Sequence, residues 1–164
     1  MHPARPYLVG TRSSHGGAFV PPAAGSSADR QGTPVRSGLQ LLLVEDEAIS
    51  ALALKRLVGR LGYEVRAITA TAEDAIRLAG EILPDIVLMD IRLAGEMDGI
   101  AAAREIRERF GIGAIFMTAN SDPATRALAE NARPLGFMAK PYSPMMVKTT
   151  LREAAERLGT ATRN

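Results

Sequence analysis

The chain has 164 residues, enough for one ordinary domain, with 46% apolar residues, 4% aromatics and no Trp, so aliphatic residues and Ala must fill its core. It contains no Cys, which excludes disulfides, thiolate catalysis and zinc–thiolate sites. Net charge is +2, but residues 1–36 hold Arg5, Arg12, Arg30 and Arg36 against Asp29 alone, whereas residues 37–164 hold 16 basic and 17 acidic residues, so the basic balance argues for no nucleic-acid-binding face on the domain.

Residues 1–37 are rich in Pro, Gly, Ser and Ala and show no apolar period. Such a segment buries too little surface to offset its ordering entropy, so it is expected to be a disordered extension, or an over-long start. It is Arg-rich and acid-poor like a transit peptide, but its Pro and Gly residues would break the amphipathic helix such a signal needs. His2 and His15 fall in it and are read as inert. The domain proper is expected over 38–159, with a polar tail at 160–164.

Residues 39–44 form an apolar run interrupted by Gln40, read as a buried parallel strand and far short of the ~20 residues that span a membrane. Residues 48–61 carry Ile49, Leu52, Ala53, Leu57 and Leu61 near helical period, and Gly62 ends them. Residues 64–68 read as a second, more polar strand nearer a sheet edge. Thr71, with Asp74 three positions on, opens a helix that Pro84 terminates. Residues 85–89 are a third strand, followed by a Gly-containing loop over 91–99. Residues 100–110 are helical and 113–117 are a fourth strand. Asp122 and Pro123 open a helix over 123–132. Residues 135–139 are a fifth strand, and Ser143 with Pro144 opens the last helix, to 158.

The pattern is βα repeated five times. Right-handed crossovers make this an α/β fold, a doubly wound five-stranded parallel sheet with helices on both faces. In such sheets ligands bind outside the carboxyl ends of the strands. Those ends carry Glu45–Asp46–Glu47, Asp90, Thr118 and Lys140–Pro141. Crowded carboxylates repel unless a hard cation neutralises them, and Mg2+ accepts one or two carboxylates with water and phosphate oxygens. A Lys and a Thr can each hold a phosphoryl oxygen, one by charge and one by a hydrogen bond. Phosphoryl transfer is largely positioning and charge neutralisation, which this set supplies.

Taken one at a time, these residues have plainer readings. Asp85 and Asp90 can bound a strand, Glu45–Asp46–Glu47 can serve as an acidic helix start, Thr118 can be a loop hydroxyl and Lys140–Pro141 a turn. Their coincidence at the ends of strands one, three, four and five favours the joint reading, with Glu47 left as a helix-start acid. Met145 and Met146 read as packing, and Arg104, Glu105, Arg107, Glu108 and Arg109 as a solvated helix face.

Over residues 39–158 the chain resembles a receiver domain of two-component signalling. The matching segments are LLLVEDE (41–47), PDIVLMDIRLAGEMDGI (84–100), IFMTANSDPATRA (115–127) and GFMAKPYSP (136–144). The resemblance implies a flavodoxin-like sheet of order 2-1-3-4-5. It implies that Asp90 is the phosphoacceptor and that Asp46 and Asp90 ligate Mg2+ (or Mn2+), with Glu45 acting through water and the Arg92 carbonyl as a further ligand. Lys140 would bridge Asp90 and the phosphoryl group, next to a cis Lys140–Pro141 bond. Thr118 and Phe137 would be the switch pair, altering a face on which Arg126, Glu130, Arg152 and Glu153 are candidate contacts.

The implied phosphoryl donor is a sensor histidine kinase or a histidine phosphotransfer protein, in the cytoplasm. Only a few polar residues follow Leu158, so no output domain is expected. The signal would pass to a downstream protein, as a monomer or a phosphorylation-dependent homodimer, without direct DNA or membrane binding and without activity as an enzyme beyond its own phosphorylation and dephosphorylation. The family loop D-x-x-M-P-x-M-D-G is one residue longer here, with Ala94 where Pro is common. Arg92 and Asn120 stand where the family tunes dephosphorylation, and the switch aromatic is Phe rather than Tyr. Two rival classes are an unphosphorylated interaction module and a flavin-binding or phosphatase-like enzyme of the same topology. The second lacks a phosphate-cradling Gly-rich loop after the first strand.

Overall fold

The computed structural model describes residues 38–119 and 122–161, all within the unit spanning 36–164. The extension expected at 1–37, Asn120 and residues 162–164 lie outside the described residues. The elements run β1 (Gln40–Val44), α1 (Ala48–Arg60), β2 (Glu64–Thr69), α2 (Ala72–Ile82), β3 (Ile86–Asp90), α3 (Gly99–Phe110), β4 (Gly113–Thr118), α4 (Pro123–Asn131), β5 (Gly136–Ala139) and α5 (Pro144–Ala161).

All five strands pair in parallel in the order β2-β1-β3-β4-β5. The two-residue period of the strands splits the core into two layers. Leu41, Leu43, Ile86, Leu88, Ile115, Met117 and Met138 point to one face, under Ala51, Leu54 and Val58 of α1 and Val147, Leu151 and Ala154 of α5. Leu42, Val44, Val87, Met89, Ala114 and Phe116 point to the other, under Ala72, Ala75 and Ala79 of α2, Ala102, Ala103 and Ile106 of α3, and Ala129 of α4. β1 and β3 are covered on both faces, which is why they read as unbroken apolar runs. Ala on the helix faces lets helices approach the sheet closely and offsets the shortage of aromatics.

Element ends differ from expectation where polar groups intervene. β3 starts at Ile86 because Asp85 is occupied with β1: its carboxylate accepts from the Gln40 N–H at 2.7 Å and its N–H donates to the Gln40 carbonyl at 2.8 Å. α3 starts one residue early, at Gly99, because Asp98 is its N-cap, accepting from the Ala101 N–H at 2.8 Å. Thr71 and Asp122 cap α2 and α4 as their positions imply, through Asp74 and Thr125 N–H groups. α5 continues to Ala161, into the stretch expected as a polar tail.

Candidate functional site

A parallel sheet of this order has its switch point between β1 and β3, since the chain leaves them toward opposite sides. The carboxyl ends of those two strands deliver Glu45, Asp46 and Asp90 to one rim. Carboxylate oxygens of the three lie within 4.8 Å of one another. Glu45 and Asp90 are only 3% and 6% exposed, whereas Asp46 faces solvent.

Lys140, directly after β5, reaches back across β4 and β3. Its Nζ donates to Glu45 Oε2 at 2.6 Å and to Asp90 Oδ2 at 2.8 Å. Burial alone would lower the Lys140 pKa, but the hydrogen bonds to Asp90 and Glu45 outweigh it and hold the ammonium above its ordinary range. Burial raises the Glu45 pKa, against the hydrogen bonds from Lys140 and the Glu47 N–H, with the Asp90 charge adding to the rise. One half-buried cation therefore stands against two buried carboxylates, with a third carboxylate beside them. A hard divalent cation fits this donor set: oxygen ligands only, net negative without it, and open to water on the Asp46 side.

The backbone holds the site in place. The Glu45 N–H donates to the Thr69 carbonyl, and the Ile91 N–H to the Met117 carbonyl. The Lys140 N–H donates to the Thr118 carbonyl at 2.8 Å, so Lys140 starts from a fixed point beside Thr118. The Lys140–Pro141 peptide is cis. The Arg92 N–H donates to Asp90 Oδ1 at 3.2 Å, which fixes the carboxylate from the loop side. The Arg92 side chain is exposed, and its charge assists the hydrogen bonds from Thr125 in holding the Asp122 carboxyl below its ordinary range.

The β3–α3 loop closes on itself. Gly99 N–H donates to the Ile91 carbonyl at 2.9 Å, Leu93 and Met97 pack on the core, and Ala94, Gly95 and Glu96 are exposed, with Gly95 at φ +109°. Gly95 sits at this exposed tip, where a glycine accepts the left-handed backbone. Gly99 is required for a different reason: a Cβ there would lie 1.9 Å from the Asp90 carbonyl oxygen. The Asp-Gly pair after Met97 was the available signal for this close approach, and sequence reasoning treated it only as the end of a loop.

Thr118 is half-buried at the end of β4, and Phe137 lies one strand over on β5, paired in register with Phe116. Of the four candidate contact residues, Arg126 and Glu130 are ion-paired to each other on α4 at 3.1 Å. Arg152 and Glu153 are exposed on α5, and the Arg152 charge acts on Tyr63 in the α1–β2 turn. The four do not form one cluster. Sequence reasoning also missed that Arg126 stacks on Phe137, since nothing in spacing marks a contact across the α4–β5 turn.

Known proteins fit this geometry. The sequence profile described as the response regulator receiver domain matches residues 41–152. The chain is similar to the phyllosphere-induced regulator PhyR of Methylorubrum extorquens, 32% identical over 116 residues that cover 70% of this chain and 43% of PhyR. It is similar to the chemotaxis protein CheY of Thermotoga maritima, 32% identical over 120 residues covering 73% of this chain and 99% of CheY. The signal receiver domain of a modulated diguanylate cyclase from Desulfovibrio desulfuricans G20 superposes with a TM-score of 0.71 at 30% identity, covering 76% of this chain and 98% of that one. The chain therefore spans less than half the length of PhyR but nearly all of CheY. Among the described residues, no helix is long and apolar enough to cross a membrane.

Proposed function

Because this chain belongs to the response-regulator receiver family, a family of signalling domains, we propose that it accepts a phosphoryl group on Asp90 and passes the signal on by protein–protein contact. The observation that carries this reading is the convergence of Glu45, Asp46 and Asp90, with Lys140 2.8 Å from the Asp90 carboxylate, at the β1/β3 switch point.

In this reading an Asp90 carboxylate oxygen attacks the phosphorus of a phosphohistidine. The new O–P bond forms as the P–N bond breaks, and the donor imidazole leaves. Asp46 and Asp90 would hold Mg2+ (or Mn2+), with Glu45 through water and the Arg92 carbonyl as further ligands, and the ion would neutralise charge on the phosphoryl oxygens. Lys140, hydrogen-bonded to Asp90 Oδ2, aims the carboxylate before transfer and then holds a phosphoryl oxygen. Thr118 donates a hydrogen bond to the phosphoryl group, and Phe137 moves with it, changing the surface of α4, β5 and α5. Arg126, Glu130, Arg152 and Glu153 lie on those two helices, with Arg126 and Glu130 the pair nearest Phe137.

The unit acting this way is taken as 38–159, in the cytoplasm, with a histidine kinase or histidine phosphotransfer protein as donor and a protein as receiver of the signal. Incubation with acetyl phosphate and Mg2+ tests the reading: wild type takes up phosphoryl label and Asp90→Ala does not. Label that survives Asp90→Ala sinks it.

A further inference from the structure

Phe137 is held from both sides. Toward the sheet, its ring centroid lies 5.8 Å from that of fully buried Phe116, with the planes tilted by 39°. Toward solvent, the guanidinium carbon of Arg126 lies 3.6 Å from the Phe137 centroid. That guanidinium is itself tethered, since Arg126 Nε donates to Glu130 Oε1 at 3.1 Å, one turn along α4. Phe137, Arg126 and Glu130, with Thr118, Gly136 and Met146, line a cleft of about 460 Å³ between α4, β5 and α5.

An exposed Arg–Glu pair four residues apart on a helix is ordinary and contributes little to stability. That accounts for the ion pair but not for the guanidinium lying over an aromatic ring from another element. A cation over a ring face is attracted by the ring quadrupole, and planar Arg stacks where Lys cannot. Glu130 reduces the entropy lost in forming the stack by holding the fork in place. The stack and the Phe116 contact together favour one orientation of a ring that otherwise has open space beside it.

We propose that Arg126 is a positioning residue for Phe137: its guanidinium, held by Glu130, fixes the ring in the orientation of the unphosphorylated chain and must be displaced before the ring turns toward Thr118. This rests on the proposed phosphoacceptor role of Asp90. A group that lowers the free energy of the resting orientation alone shifts the switch equilibrium against activation by that amount. Loss of the stack therefore makes the chain easier to activate, by a few-fold, the scale of one exposed cation–π contact. It also frees Arg126 and Glu130 together, so the charge pattern of α4 changes with the ring.

The full chain is titrated with beryllofluoride and Mg2+ as the phosphoryl mimic, following α4 and β5 amides by NMR. Arg126→Ala is expected to lower the midpoint ~2- to 5-fold relative to wild type, Arg126→Lys to fall between them, and Glu130→Gln to give a smaller shift in the same direction. Without the mimic, the Arg126 Nε–H resonance of wild type is expected upfield through the ring current of Phe137, and at its ordinary position in Phe137→Leu. Equal midpoints for wild type and Arg126→Ala, or an unshifted Nε–H signal in wild type, overturn the proposal while leaving the Asp90 reading intact. Failure of wild type to bind the mimic at all overturns that reading and the coupling with it, and the Nε–H signal then reports the stack separately.

Discussion

The Nζ of Lys140 lies 2.6 Å from Oε2 of Glu45, a contact between residues 95 positions apart that joins the carboxyl end of β5 to that of β1. The same ammonium is 2.8 Å from Asp90 Oδ2, so one side chain ties the ends of three strands. Removing it leaves two buried carboxylates without their cation, which is costlier than never having placed them there.

Lys140→Met is expected to lose about 1–3 kcal/mol of stability near pH 7. Burial already raises the Glu45 pKa, and loss of the ammonium raises it further. A carboxylate whose folded pKa exceeds its unfolded value favours folding below that unfolded value and loses the contribution as pH rises through the folded one. The deficit relative to wild type is therefore expected to shrink between pH 7 and pH 5. Urea unfolding at both values checks this, and a deficit that grows toward pH 5 would contradict it.

Asp46→Ala is expected to leave the metal-free fold at wild-type stability, because Asp46 faces solvent. It should also remove the rise in melting temperature that Mg2+ produces in wild type. An ion that binds only the folded state stabilises it in proportion to the logarithm of its concentration over its dissociation constant. Thermal melts across a Mg2+ series measure this, and equal Mg2+ responses in the two proteins would count against the assigned site.

Gly99→Ala places a methyl group 1.9 Å from the Asp90 carbonyl oxygen, which is backbone and cannot swing aside. The loop must move, so a loss of at least ~2 kcal/mol is expected. Labelling by acetyl phosphate should fall with it, because the displaced atom belongs to Asp90. Unchanged stability and labelling would show that the loop yields without disturbing the site.

Asp98→Ala removes the N-cap of α3 at the far end of that loop, and is expected to cost about 1 kcal/mol, whereas Asp98→Asn should retain most of it. Chemical denaturation of the three proteins separates the outcomes. Equal losses in both variants would assign the effect to charge rather than to capping.

The strand pattern and the carboxyl-end residues are readable from sequence because β1 and β3 are covered on both faces and because a βα repeat dictates which ends share a rim. Boundaries shift where a side chain binds backbone, as Asp85 does with Gln40 and Asp98 with Ala101, since apolar period carries no information about such bonds. The direction taken by Glu45 is equally hidden. Its place at a strand end is periodic, but its turn toward Lys140 rather than solvent depends on rotamers and on chain 95 positions away. The stack of Arg126 on Phe137 is a contact across a turn between elements, and no spacing rule anticipates it.

Locating the acyl phosphate tests Asp90 as the phosphoacceptor most directly. Wild type is treated with acetyl phosphate and Mg2+, the aspartyl phosphate is reduced with borohydride, and tryptic peptides are sequenced by mass spectrometry. The peptide spanning residues 78–92 contains both Asp85 and Asp90, so fragment ions distinguish them. Reduction is expected at Asp90 alone, dependent on Mg2+. Modification at Asp85, Asp46 or Asp98 in place of Asp90 would contradict it.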